Sequence, residues 1–140
     1  LTQYATLSPD GRWIAYSGNE TGQDQVYVRP FPETDDGKWQ VSPGGGIEPV
    51  WGHGRRELFY RAPSGDLVSV EMTLDRSGAP RFAAPRPLFR ITIDENADGR
   101  HYHVMPDDQH FVLLHTIGGS KRELMVVENF AEELRRKVPR

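Results

Sequence analysis

Five histidines are the first residues to weigh for chemistry. His101 and His103 are two apart, so on an extended strand both imidazoles face the same way and could begin a zinc site. His110 and His115 flank the strand expected to pair with it, but they are five apart and face opposite ways. No third ligand is set by this spacing, and His101 and His103 read as polar positions on an edge or inner strand. A serine hydrolase needs its nucleophile on a sharp turn beside a positioned His and Asp. The chain has no G-x-S-x-G: Gly18 and Gly22 flank a turn without a central serine, and Ser42 precedes Pro43. With no cysteine, thiolate nucleophiles, thiolate metal sites and disulfides are excluded. Gly44-Gly45-Gly46 would suit a phosphate only between a strand and a helix start. A strand-like run from Ile47 follows instead, so these glycines read as a flexible link. Glu33, Asp35 and Asp36 lack calcium-loop spacing and read as a solvated hairpin tip. The residues therefore predict no catalytic group, no metal ligand and no cofactor, and they leave any ligand-binding residue unassigned.

The elements that would hold these residues are strands. Trp13-Ile14-Ala15-Tyr16 and Gln25-Val26-Tyr27-Val28 flank a Gly/Asn/Thr-rich turn, and Lys38-Trp39-Gln40-Val41 follows Asp35-Asp36-Gly37. Leu58-Phe59-Tyr60-Arg61 runs through Pro63-Ser64-Gly65-Asp66 into Leu67-Val68-Ser69-Val70. Phe111-Val112-Leu113-Leu114 runs through Gly118-Gly119 into Leu124-Met125-Val126-Val127. Each pair reads as a hairpin, with β-rich runs on either side of residues that accept a turn. The 14 glycines and 11 prolines scattered through 140 residues leave little room for long helices. A net charge of −3 argues against a nucleic-acid surface, and no run of 18 apolar residues is present to cross a bilayer. A start at Leu1 without a signal-like run suggests a piece of a longer precursor.

The hairpins are copies of one another. Leu7-Ser8-Pro9-Asp10-Gly11-Arg12-Trp13 aligns with Trp51-Gly52-His53-Gly54-Arg55-Arg56-Glu57 and with Val104-Met105-Pro106-Asp107-Asp108-Gln109-His110. The turn positions Asp10, Gly54 and Asp107 are 44 and then 53 residues apart. A period of about 40–45 residues with four short strands per unit is the signature of propeller blades. The longer second spacing is assigned to an irregular, proline-rich connection at 79–87 and an exposed loop at 94–99. The expectation is an all-β partial β-propeller of about three four-stranded antiparallel blades, at 1–45, 46–92 and 93–140. Asn129 with Glu132 can cap a helix, and Phe130, Leu134 and Val138 share one helical face, so a short C-terminal helix is expected at about 130–137. Trp13, Tyr16, Trp39, Trp51, Phe59 and Tyr60 should fill the space between blades, with Trp51 near the end of its strand.

The run SPDGRWIAY at 8–16, with QVYVRPF and KWQVSPGGG after it, resembles the TolB-like (WD-type) propeller repeat. It is most similar to the propellers at the C-terminal ends of bacterial transmembrane serine/threonine kinases, as are Trp51 to Tyr60 and the closing Leu124 to Phe130. No kinase motif is present: there is no HRD, no DFG and no glycine-rich loop with its lysine. The resemblance implies a non-catalytic binding or sensing scaffold, extracytoplasmic or periplasmic, for a protein or peptide partner. The alternative it implies is the propeller of a prolyl-oligopeptidase-type peptidase, gating a separate hydrolase domain. Three blades alone leave two open faces, so a homodimer that completes a propeller is expected.

Overall fold

The computed structural model describes residues 2–54, 56–91, 101–117 and 121–128. The helix expected at 130–137 and the loop at 94–99 lie outside them. The described residues are all-β apart from one short 3-10 turn at Thr34–Asp36. Among the described residues, twelve strands form three antiparallel sheets. Sheet 1 is a meander of β1 (Thr2–Leu7), β2 (Trp13–Gly18), β3 (Gln25–Pro30) and β4 (Trp39–Gln40). Sheet 2 holds β5 (Ile47–Trp51), β6 (Glu57–Arg61) and β7 (Asp66–Leu74), with β8 (Pro80–Phe82) and β9 (Arg86–Arg90) both on the far edge of β7. Sheet 3 holds β10 (Tyr102–Val104), β11 (His110–Ile117) and β12 (Lys121–Glu128).

The residues at 79–87 are thus not an irregular connection. Met72, Thr73 and Leu74 pair with β8, while Asp66 to Ser69 pair with β9, so two short strands divide one long edge. Pro80 and Pro87 are tolerated because an edge strand needs only one side of its ladder. The sheets also differ in strand number, at four, five and three among the described residues.

The repeat is visible in the backbone. The N–H of Ser8 donates to the carbonyl of Trp13 (2.8 Å), that of Gly52 to Glu57 (2.7 Å) and that of Met105 to His110 (2.9 Å). These turns fall at the 44- and 53-residue offsets of the sequence alignment. Gly11 takes φ +73° in the first turn, and Asp108 takes φ +56° at the matching place in the third. Aspartate is among the few residues that enter this region at modest cost. Tyr4 and Glu48, again 44 apart, have φ +58° and +60°, and the β1–β2 and β5–β6 registers shift beside them.

Side chains alternate across each sheet, so sheet 2 buries both faces. Leu58, Tyr60, Val68, Val70 and Met72 pack with Trp13, Ala15, Val26, Val28 and Val41 of the sheet 1 region. Phe59 and Leu67 pack with Tyr102, Val104, Phe111 and Leu113 of sheet 3. Most of the aromatic set packs between sheets: Trp13, Trp51, Phe59 and Tyr60 are buried there, half-buried Trp39 meets Trp13 edge-on at 6.1 Å, and Phe59 meets Phe111 at 5.2 Å, whereas Tyr16 is buried against Tyr27 outside both clusters. Trp51 belongs to the first cluster and donates its indole N–H to the Thr6 carbonyl at 3.1 Å.

Candidate functional site

Where the three sheets approach one another, a single carboxylate joins them. Glu48 sits at the left-handed position of the β5 bulge and is fully buried. Its backbone N–H donates to the Ser17 hydroxyl of β2 at 2.9 Å, and its carbonyl accepts from the Tyr102 hydroxyl of β10 at 2.8 Å. Its Oε1 accepts from Arg61 Nε of β6 at 3.2 Å and lies 2.9 Å from His101 Nδ1. Oε2 accepts the His101 backbone N–H at 2.6 Å. A buried carboxylate is tolerated only when paired and bonded in this way.

Arg61 also lines a groove of about 330 Å³ that opens beside this network. The β2–β3 turn contributes Gln23 and Asp24, Gly46 precedes β5 and Ile47 begins it, and Ala62, Pro63 and Gly65 belong to the β6–β7 turn. The lining combines the apolar Ile47, Ala62 and Pro63 with the polar Gln23, Asp24 and Arg61. The triple glycine is the link that joins sheet 1 to sheet 2, and Gly46 lines this groove. Gly45 has φ +100° and its N–H donates to the Ser42 carbonyl, while that of Gly46 donates to the Asp24 carbonyl. A Cβ on Gly46 would stand 2.6 Å from the Tyr60 ring, so the backbone approach itself requires glycine.

A smaller recess of about 170 Å³ lies at the opposite sheet ends, among Ser8, Asp10, Trp51, His53 and Arg56. Beside it, the nearly buried Asp108 carboxylate accepts the backbone N–H groups of His53 (2.8 Å) and Gly54 (2.9 Å) and lies 3.0 Å from His53 Nδ1. That clamp joins the β10–β11 turn to the β5–β6 turn. The hydrogen bond from Ser8, then the Arg12 backbone N–H, hold Asp10 below the ordinary carboxylate range, with Arg56 adding attraction. In the third copy the backbone N–H of Gln109, then His110, do the same for Asp107.

The histidines do not form one site. His101 is buried against Glu48, whereas His103 is exposed on β10. His110 pairs locally with Asp107 at 2.5 Å, and the His115 side chain lies outside those described. Among the described residues, no three His, Asp or Glu side chains are grouped as a metal site would need. Glu33, Asp35 and Asp36 sit on and beside the exposed 3-10 turn. Sequence reasoning passed over Glu48, Arg61 and Asp108. The available signal was the repeat itself, which places Tyr4, Glu48 and His101 at one equivalent position. No family model matches the chain, and no curated protein matches it.

Proposed function

We propose that this chain is a non-catalytic β-propeller segment of TolB-like type, of about three blades, that serves as a binding or sensing scaffold for a protein or peptide. The observation that carries this reading is the recurrence, at offsets of 44 and 53 residues, of the same turn hydrogen bond in three successive sheets. The middle sheet is packed on both faces, as a blade within a stack must be. The resemblance of 8–16 to the propeller of receptor-type kinases supports a sensor, placed outside the cytoplasm. The recognition surface in this proposal is the groove bordered by Gln23, Asp24, Arg61 and Pro63, because interblade turns there present polar groups on a rigid base.

Selection of a random peptide display library on the folded chain tests the proposal. Enriched peptides should bind the wild type and lose at least tenfold in affinity to Asp24→Arg or Pro63→Glu, both at exposed rim positions. Peptides that bind both variants as well as the wild type, or no enrichment at all, would remove the groove from consideration.

A further inference from the structure

Four prolines from separate segments of the chain meet at one edge of sheet 2. Pro43 belongs to the link between β4 and β5, and Pro63 to the β6–β7 turn. Pro85 lies between β8 and β9, and Pro87 is in β9. They converge because β9 runs antiparallel to β7, with Pro87 opposite Val68. The link also approaches the β6–β7 turn closely, so that a Cβ on Gly45 would stand 3.1 Å from the Pro63 ring. Between these segments is a recess of about 330 Å³, with the buried Tyr60 and Val68 at its base. It shares Ala62 and Pro63 with the groove proposed above for recognition.

No charged side chain lines this recess, and most of its polar groups are already engaged. The Ser64 hydroxyl donates to Asp66 at 3.0 Å, and the Gly45 N–H donates to the Ser42 carbonyl at 3.2 Å. The carbonyls of Gly44 and Ala62 accept from Gln23 Nε2 at 3.3 Å and from the Gly65 N–H at 3.0 Å. Proline rings bring no N–H of their own. Tyr60 is the exception. The residue is only 3% exposed, yet its hydroxyl meets no hydrogen-bond partner among the described residues. Burial alone raises its pKa, so the group is a proton donor at neutral pH. The side-chain polar atoms sealed from solvent without a partner among the described residues are Trp13 Nε1 and Gln109 Oε1. The Tyr60 hydroxyl is therefore reached from outside, through the recess that this residue lines.

An occupant that complements these walls is uncharged and apolar, and brings an acceptor without a donor to strand among the prolines. A proline residue within a peptide has that combination. Its ring is apolar, its nitrogen carries no hydrogen and its carbonyl is a full acceptor. A polyproline II segment also reaches the site already extended, so little conformational entropy is lost on binding. We infer that the recess takes a proline of a polyproline II peptide, its ring against the proline walls and Val68 and its carbonyl accepting from the Tyr60 hydroxyl. This inference rests on the peptide-binding reading above and names the class of peptide.

Fluorescence anisotropy with a labelled, end-blocked hexaproline peptide tests it, beside an alanine–serine peptide of the same length. The proteins are the wild type, Tyr60→Phe, Pro43→Glu and Asp24→Arg, with thermal melts to show that each is folded. Hexaproline should bind the wild type saturably and at least about tenfold tighter than the alanine–serine peptide. Tyr60→Phe keeps the ring and removes one hydrogen bond, so it should lose about fivefold. Pro43→Glu puts a carboxylate at an exposed position of the recess that is not part of the groove, and should abolish binding. Asp24→Arg, which alters the groove alone, should bind hexaproline like the wild type. No saturable binding to the wild type, equal affinity for the two peptides, or wild-type affinity in Tyr60→Phe or Pro43→Glu would overturn the inference. Loss of hexaproline in Asp24→Arg would also overturn it, by placing the peptide in the groove instead. Display-selected peptides that depend on Asp24 and hold no proline would leave the groove reading standing while this one fails.

Discussion

Glu48 combines two costs, a non-glycine residue at positive φ and a carboxylate withdrawn from water, and both are offset by its partners in three sheets. Glu48→Gln would set an amide N–H₂ against the donors of Arg61 or His101. It is expected to destabilise the chain by about 3–5 kcal/mol, measured by urea unfolding at neutral pH. Glu48→Gly removes the backbone strain and the carboxylate together, so it should remain well below the wild type; full recovery would show that strain outweighs the network. A second residue-scale prediction concerns acid. Asp10 and Asp107 have folded pKa values below the ordinary 3.8 because hydrogen-bond donors favour their charged forms. Each stabilises the fold above the unfolded-state value, and that contribution disappears as pH falls through the lower folded value. The Asp10→Asn/Asp107→Asn double variant, which keeps an acceptor at both turns, should show a shallower loss of stability below about pH 4. Unchanged acid unfolding curves would remove these turns as contributors.

At the scale of elements, the turns and edges decide how sheets meet. Asp108 performs the conformational task of Gly11 and also clamps the β5–β6 turn. Asp108→Gly should relieve the backbone yet lose stability by about 1–3 kcal/mol, because the backbone N–H groups of His53 and Gly54 lose their acceptor. Asp108→Asn should lose less in a thermal melt, and a Gly variant more stable than the wild type would refute the clamp. The hairpins were legible because their signals are local: alternation within each run and turn-forming residues between runs. The strands at 80–82 and 86–90 were not, since three prolines in 80–87 read as breakers and their partner is one long strand shared end to end. Glu48 was harder still. Its histidine partner is 53 residues away, and nothing in a glutamate announces a left-handed backbone.

Among the described residues, sheet 2 packs on sheet 1 with one face and on sheet 3 with the other, so neighbouring residues of one strand report on the two junctions separately. Leu58 faces the first cluster and Phe59 the second. Truncating either to Ala leaves a cavity costing about 2–5 kcal/mol, so global stability alone cannot tell the junctions apart. Native-state hydrogen exchange can, because opening in a repeat array need not involve every unit. Phe59→Ala should lower amide protection in β11 and β12 while leaving β2 and β3 close to the wild type. Leu58→Ala should act the other way, loosening β2 and β3 first. The groove used in the proposed recognition lies between sheets 1 and 2, so peptide affinity should follow the Leu58 junction and tolerate Phe59→Ala as long as sheet 2 remains folded. Equal loss of protection everywhere in both variants would mean that the three sheets open as one body. The sheets would then transmit a change in sheet 3 to the groove, and Phe59→Ala would weaken peptide binding as much as Leu58→Ala.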